Sequence, residues 1–177
     1  LSMSLTSGLA KLLTLLSSRF NKTLGDKLLD HLHQWLDPSA LSSLKIWRSG
    51  EEPLIAASVI SLFELLPQGT EFVERLVTTV INLESTLHQF NGYNEAHSPY
   101  RIPLTRYLTR YPEHAADFFL SPKRLSNASY STLFVSILKT PDAKELRVYL
   151  STDAGTKKFL NVCFGIPLYL DNLLSAK

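Results

Sequence analysis

Five histidines are the first residues to test for chemistry, because imidazole serves both as a general base and as a metal ligand. His31 and His33 lie two residues apart, so on a helix their side chains diverge by about 200° and cannot hold one metal ion. His88, His97 and His114 have no companions that complete a metal-ligand motif. We therefore predict solvated or partly packed histidines, and neither a metal nor another cofactor.

The other reactive side chains also lack the neighbours that catalysis needs. No Gly-x-Ser-x-Gly turn is present to expose a nucleophilic serine. The run Gly155-Thr-Lys-Lys158 has neither the upstream glycine nor the preceding strand of a phosphate-binding loop. Cys163 stands among apolar residues, where a buried small hydrophobe is expected rather than a nucleophile. The sequence thus predicts that the chain is not an enzyme and takes no small-molecule substrate.

A set of basic residues in the second half is the one candidate binding feature. Residues 1–89 hold seven Lys or Arg against nine Asp or Glu, whereas residues 90–177 hold eleven against seven. Five of these cations could form a ridge across adjacent helices: Arg101, Arg106, Arg110, Lys123 and Arg124. Such a ridge is either an ordinary solvated face or a contact for an acidic segment of another protein, such as a transcription activator. Nucleic acid is not expected as a partner, since no aromatic residues interleave with this charge.

Composition indicates a folded chain with a sizeable core. The sequence has 177 residues, of which 45% are hydrophobic and 19% are charged, too few charges for disorder. No stretch approaches the roughly 18 consecutive apolar residues of a membrane span, and no membrane partner is expected. The single cysteine excludes an internal disulfide and suits a reducing compartment. Because the chain begins at Leu1 and not at Met, we expect a piece of something longer.

The elements that position these residues are predicted to be helices throughout. Apolar residues recur at helical spacing between short Pro, Gly, Asn and Ser punctuation, and no segment shows strand alternation. Helix pairs are predicted near residues 5–36, 53–90, 99–120 and 129–151, followed by a helical tail over 152–177. The fold class is therefore all-α, with residues 1–177 forming a single segment of an irregular α-solenoid of HEAT or armadillo type. A compact helical bundle is the structural alternative.

The segment 98–112 is the most sharply delimited of these helices. Prolines punctuate both of its ends, and its tyrosines and leucines fall within one arc of roughly 100° while Arg106 and Arg110 point away. In the preceding helix, Glu84 lies inside the apolar arc, so we predict that it either reaches the edge of the interface or meets a partner there. The next helix offers Arg101 as that partner. This segment is predicted to be a packing unit with a basic outer face.

The sequence Ser98-Pro-Tyr-Arg-Ile-Pro-Leu-Thr-Arg-Tyr-Leu-Thr-Arg-Tyr-Pro112 resembles the TRRAP family of transformation/transcription domain-associated proteins. Neighbouring segments at 24–32, 57–67, 133–139 and 142–150 follow in the same order, so the resemblance covers about residues 20–152. It implies one slice of a long HEAT solenoid in a very large, pseudokinase-containing scaffold. It further implies a nuclear subunit of histone acetyltransferase coactivator complexes such as SAGA, with other subunits and acidic activators as partners and no catalytic motif in this region.

Two alternatives to a coactivator scaffold follow from the residues. One is a stand-alone HEAT or armadillo adaptor. The other is a compact helical enzyme or ligand-binding domain, for which Glu84, His97 and Arg101 would have to converge on an enclosed cavity.

Overall fold

A computed structural model of the chain describes residues 15–35, 52–66, 70–87 and 98–163. These residues contain helices and turns and no strand, which confirms the all-α prediction. The chain divides into two compact units, Leu1–Leu104 and Thr105–Lys177. The first helix of the predicted pair near residues 5–36 is described only from residue 15, and residues 15–17 are helical. The predicted tail lies outside the described residues beyond position 163.

The first unit contains three long helices: α1 (Lys22–Trp35), α2 (Glu52–Phe63) and α3 (Phe72–Leu87). The helix α1 begins where the Asn21 side chain accepts a hydrogen bond from the backbone N–H of Leu24 at 3.0 Å. It packs against both α2 and α3. Phe63 joins the helices, because its ring meets the edges of Phe20 at 5.2 Å and Phe72 at 5.0 Å between centroids.

Ion pairs fasten α1 to the beginning of α3 at the surface. Lys22 Nζ lies 2.5 Å from Glu71 Oε1, and Arg75 bridges two carboxylates one helical turn apart, Asp26 and Asp30. These pairs are all at least one-third exposed. The apolar stripe beneath them therefore supplies most of the stability of the contact.

The helix α4 (Arg101–Arg110) is the one predicted from the proline-bounded segment. Tyr100, Leu104, Tyr107 and Leu108 are fully buried, while Arg106 and Arg110 are exposed, as the predicted faces require. Pro103 lies in the first turn of α4, where its missing N–H removes no intrahelical hydrogen bond. The division between the two compact units falls within this helix.

The second unit is built around a short central helix, α5 (Pro112–Phe119). It packs against α6 (Pro122–Leu125), α7 (Ala128–Leu138), α8 (Lys144–Leu150) and α9 (Asp153–Cys163). A 3₁₀ turn, Pro141–Ala143, leads into α8. Phe119 of α5 stacks on Phe134 of α7 with ring centroids 4.5 Å apart and planes 13° from parallel. This contact is the centre of the second core, since both rings are fully buried.

Polar groups close the ends of the helices in the second unit. The Asn127 side chain accepts from the Ser129 N–H at 3.0 Å and begins α7. The Arg147 guanidinium of α8 donates to the carbonyls of Leu138 at 2.8 Å and Thr140 at 2.6 Å, which satisfies two acceptors at the end of α7. One arginine thereby ties two successive helices together.

Candidate protein-interaction surface

The candidate surface consists of five basic residues, and Arg101 is the most deeply engaged of them. Its Nε and Nη2 donate to Glu84 Oε1 of α3 at 3.0 and 2.8 Å. The Tyr100 hydroxyl donates to the same oxygen at 3.4 Å. The Arg101 and Glu84 side chains are only 20% and 14% exposed. Of the two alternatives predicted for Glu84, the structure shows the second, a partner in Arg101, and the arginine serves as an anchor of α4 on α3.

Arg106 and Arg110 both lie on the outer face of α4 but differ in their partners. Arg106 Nε donates to Asp142 Oδ1 at 3.2 Å, and the nearby Thr109 hydroxyl donates to the backbone carbonyl of Asp142 at 3.0 Å. These contacts attach α4 to the 3₁₀ turn. Arg110 is exposed and, within the described residues, makes no ion pair or side-chain hydrogen bond. Its charge is therefore available to another molecule.

Lys123 and Arg124 are consecutive residues of α6 with different surroundings. The Arg124 guanidinium lies 3.8 Å from the centroid of the Phe118 ring and donates to the Phe118 carbonyl at 3.3 Å. It therefore fastens α6 to the end of α5. Lys123 is exposed and has no side-chain partner in the described part of the chain.

The five residues thus do not form a row of equivalent charges. Arg101 belongs to the first unit and the other four to the second. Within the second unit, twelve residues separate Arg110 from Lys123 in the chain, and eight of them form α5. Among the five, Arg110 and Lys123 are exposed without an ion-pair partner in the described residues, whereas the charge of Arg106 is shared with Asp142.

Sequence reasoning missed a further charged cluster on α5 and α9. Lys158 Nζ lies 2.5 Å from Asp117 Oδ1 and 3.4 Å from Glu113 Oε1, and it stands 5.6 Å from the centre of the Tyr149 ring. Burial lowers the pKa of Lys158, but Asp117 and Tyr149 raise it by more, so its ammonium group stays protonated. The spacing of Glu113 and Asp117, four residues apart on a helix, is the signal that could have indicated this cluster.

The segment Gly155-Thr-Lys-Lys158 has a packing role. It lies within α9, where a Cβ added at Gly155 would stand 2.2 Å from the Tyr149 carbonyl oxygen. Glycine is therefore the residue that lets α9 approach the end of α8. Of the groups proposed for a cavity site, Glu84 and Arg101 meet, and His97 lies outside the described residues.

Over the described residues, no group of three or more His, Cys, Asp or Glu side chains converges as a metal site would require. Every described helix is too short or too polar to span a bilayer.

Comparison with known proteins identifies what the chain is similar to. The family model of the Tra1 HEAT repeat ring region matches residues 1–165, beyond the span 20–152 that carries the resemblance in the sequence. The protein "Probable transcription-associated protein 1" of Dictyostelium discoideum is 38% identical over 121 residues, which cover 68% of this chain. The SAGA complex/NuA4 acetyltransferase complex subunit TRA1 of Saccharomyces cerevisiae is 35% identical over 141 residues, or 78% of this chain.

The vertebrate relatives are similar over a longer stretch. The transformation/transcription domain-associated protein of Mus musculus is 29% identical over 164 residues, which cover 92% of this chain. All these relatives are far larger, since the matched part is 2% of the Dictyostelium protein, 4% of the yeast protein and 6% of the mouse protein. The HEAT-type solenoid and the TRRAP-family resemblance predicted from the sequence are confirmed.

Proposed function

This chain belongs to the family of the Tra1 HEAT repeat ring region, and from that membership we propose that it is a non-catalytic scaffold segment of a transcription coactivator. The match over residues 1–165 is the observation that carries the proposal. Its partners are then other subunits of a histone acetyltransferase complex, because the yeast relative is named as a subunit of SAGA and NuA4. Its location is then the nucleus.

The proposed mechanism is the rigid display of helix surfaces. In a helical-repeat protein each repeat packs on its neighbours and leaves its outer faces for partners. The described helices suit this role, since aromatic and aliphatic side chains such as Phe63, Phe119 and Phe134 are fully buried while charged residues cover the outside. The arrangement of all 177 residues as one continuous solenoid segment is part of this proposal.

Purification of the intact protein tests the scaffold role. Histone acetyltransferase activity on core histones should copurify with the protein. The Phe119→Ala variant should lose most of that activity, because the stacking of Phe119 on Phe134 supports the second core. Leu160→Ala is the matched control, since Leu160 is 47% exposed and its truncation leaves no cavity. Hydrogen exchange would verify that the substitution opens the second unit. If the Phe119→Ala variant then kept full activity, a scaffold role for this segment would be excluded.

We further propose that the basic residues contact an acidic segment of a partner protein. Arg110 and Lys123 supply free positive charge, and Arg106 adds an exposed guanidinium that Asp142 only partly neutralises. Arg101 and Arg124 contribute by holding α4 and α6 in position. Of the five residues of the predicted ridge, two would contact the partner directly, one would divide its charge between the partner and Asp142, and two would hold the helices in place.

Charge reversal tests the acidic-partner proposal. The double variant Arg110→Glu with Lys123→Glu should weaken capture of a fluorescein-labelled ten-residue Asp/Leu peptide by the intact protein at low salt. The control is Lys27→Glu, which reverses an exposed charge on α1 of the first unit. Equal binding by the double variant and by the unsubstituted protein would remove the proposal without affecting the scaffold assignment.

A further inference from the structure

The turn that joins α6 to α7 carries a serine shortly after two consecutive cations. Ser126 follows Lys123 by three positions and Arg124 by two, and it is exposed. Its backbone ends α6, and its Oγ donates to the Lys123 carbonyl oxygen at 3.1 Å. This hydrogen bond is local and lies at the surface. The Ser126 hydroxyl is therefore accessible to another molecule.

The spacing along α6 brings any anion attached to Ser126 close to Lys123. Residues three apart on a helix are neighbours on its surface. Lys123 is exposed and, over the ranges that the structure describes, its ammonium group takes part in no ion pair. Arg124 is engaged elsewhere, because its guanidinium lies 3.8 Å from the centroid of the Phe118 ring. Lys123 is therefore the first cation that such an anion would meet.

From this geometry we propose that Ser126 is a phosphorylation site for a protein kinase that selects cations two and three positions before the acceptor serine. Ser126 Oγ attacks the γ-phosphorus of ATP and gives its proton to a carboxylate of the kinase. The bond between the γ-phosphorus and the bridging oxygen breaks, and ADP leaves with that oxygen. Lys123 and Arg124 suit an acidic kinase cleft, because both form charge-assisted hydrogen bonds with carboxylates.

A local opening of α6 precedes the reaction. Leu125 lies between the cations and the serine and is only 3% exposed, and Arg124 must leave the Phe118 ring before it can enter a kinase cleft. Exposing a buried leucine lowers the population of the open form by a factor of about 10 to 150. Because α6 has only four residues, its opening breaks few backbone hydrogen bonds. The fold therefore slows phosphorylation without preventing it.

The phosphate reverses the charge at one of the two cations proposed above as contacts for an acidic segment, so this step rests on the proposed function. A phosphoserine carries a charge of about −1.5 to −2 at pH 7. Beside Lys123 it turns one positive charge into about one net negative charge, which is nearly the change that Lys123→Glu makes. Phosphorylation of Ser126 therefore switches off the contact with the acidic segment.

Phosphorylation in vitro tests the site itself. The intact protein and a synthetic peptide of residues 118–130 are incubated with ATP and the catalytic subunit of cAMP-dependent protein kinase, and mass spectrometry measures the phosphate on Ser126. The intact protein should be phosphorylated there, about 10- to 150-fold more slowly than the peptide. Lys123→Gln should slow the reaction about fivefold in both, because one ion pair with the kinase is lost.

A neighbouring serine provides the matched control. Ser129 is also exposed, but Asn127 and Ser126 stand two and three positions before it in place of cations. Ser129→Ala should therefore leave the rate at Ser126 unchanged. The proposal would be overturned by an intact protein that carries no phosphate on Ser126 while the peptide is fully phosphorylated. An unchanged rate in the Lys123→Gln variant would overturn it too.

Binding of the fluorescein-labelled Asp/Leu peptide tests the switch. At low salt, the phosphorylated intact protein should bind it as weakly as the Lys123→Glu variant does, to within about twofold. The Ser126→Ala variant treated with the same kinase should keep the full affinity. Unchanged binding after phosphorylation, with weakened binding in Lys123→Glu, would refute the switch and leave the acidic-partner proposal standing. Equal binding by Lys123→Glu and the unsubstituted protein would remove Lys123 as a contact and the switch with it, whereas the phosphate on Ser126 is measured independently.

Discussion

Replacing Gly155 with alanine is expected to force α9 away from the end of α8. The added Cβ would lie 2.2 Å from the Tyr149 carbonyl oxygen and 2.7 Å from the Leu150 Cα. Carbon atoms in favourable contact stand about 3.5–4.0 Å apart, so the helices must separate by about 1 Å. Both obstructing atoms belong to the backbone and cannot rotate aside as the end of a side chain can.

The cost of this substitution is set by two opposing effects. Overpacking costs about 1–3 kcal/mol, and the upper end applies because the shift also disturbs Phe159 and Val162, which are 7% and 6% exposed. Alanine recovers up to about 1 kcal/mol of helix propensity relative to glycine. The free energy of local opening should therefore fall by about 2 kcal/mol, which corresponds to about 30-fold faster exchange of the amide protons that this opening exposes.

Hydrogen–deuterium exchange of the intact protein measures this effect directly. Peptides from α8 and α9 should exchange about 30-fold faster in the Gly155→Ala variant. Gly25→Ala is the matched control, because the atoms nearest to its Cβ would be ring atoms of Phe63 at 3.0 Å and of Phe20 at 3.4 Å, and not backbone atoms. The cost of a small ring shift there is offset by the gain in helix propensity. The amide exchange rates in α1 should therefore stay within a few-fold of those in the unsubstituted protein. Unchanged exchange in α8 and α9 of the Gly155→Ala variant would refute the close-approach argument.

Three further perturbations follow from single contacts. Replacing Arg101 with methionine should lower the free energy of unfolding by about 3 kcal/mol, because Glu84 is left buried without its cation. Faster hydrogen exchange in α3 should show this loss. The double variant that also carries Glu84→Gln should recover most of the lost free energy. Thr105→Val should raise the midpoint of thermal unfolding by an amount equivalent to about 1 kcal/mol, because the fully buried hydroxyl has no hydrogen-bond partner among the described residues. A lower midpoint would mean that the hydroxyl stabilises the folded protein. The hydrogen bond from Lys22 holds the pKa of Glu71 below its ordinary value. The stability that this contact contributes is therefore present above about pH 4.3 and is lost as the pH falls through the folded-state pKa of Glu71. In the Lys22→Met variant, an NMR titration should find the pKa of Glu71 returned towards its ordinary value.

The helices were predictable because their signals are local. In α4, the arc that carries Tyr100, Leu104 and Tyr107 is fixed by the 3.6-residue period, and all three are fully buried. The pairing of Glu84 with Arg101 followed from a carboxylate that the same period placed on an apolar face. The sequence supplied both residues and the reason for them to meet.

Contacts that depend on the arrangement of several helices were not predictable in the same way. Arg147 reaches back over nine residues to the Leu138 carbonyl, and Lys158 reaches Glu113 and Asp117 across 45 and 41 residues. No periodicity relates such positions, because their distance is set by the packing of α5, α8 and α9. For the same reason, the sequence treats Arg106 and Arg110 alike, and only the position of Asp142 distinguishes them.

This distinction limits what the basic residues can contribute to binding. An exposed ion pair contributes about 0.2–1 kcal/mol, so new pairs at Arg110 and Lys123 together supply at most about 2 kcal/mol, or about 30-fold in affinity. Micromolar capture of an acidic segment requires about 8 kcal/mol, so apolar contacts must provide most of it. Replacing both residues by glutamine should therefore weaken binding by 30-fold or less and flatten its salt dependence. A larger loss would mean that the two cations are desolvated in the complex, as buried ion pairs are.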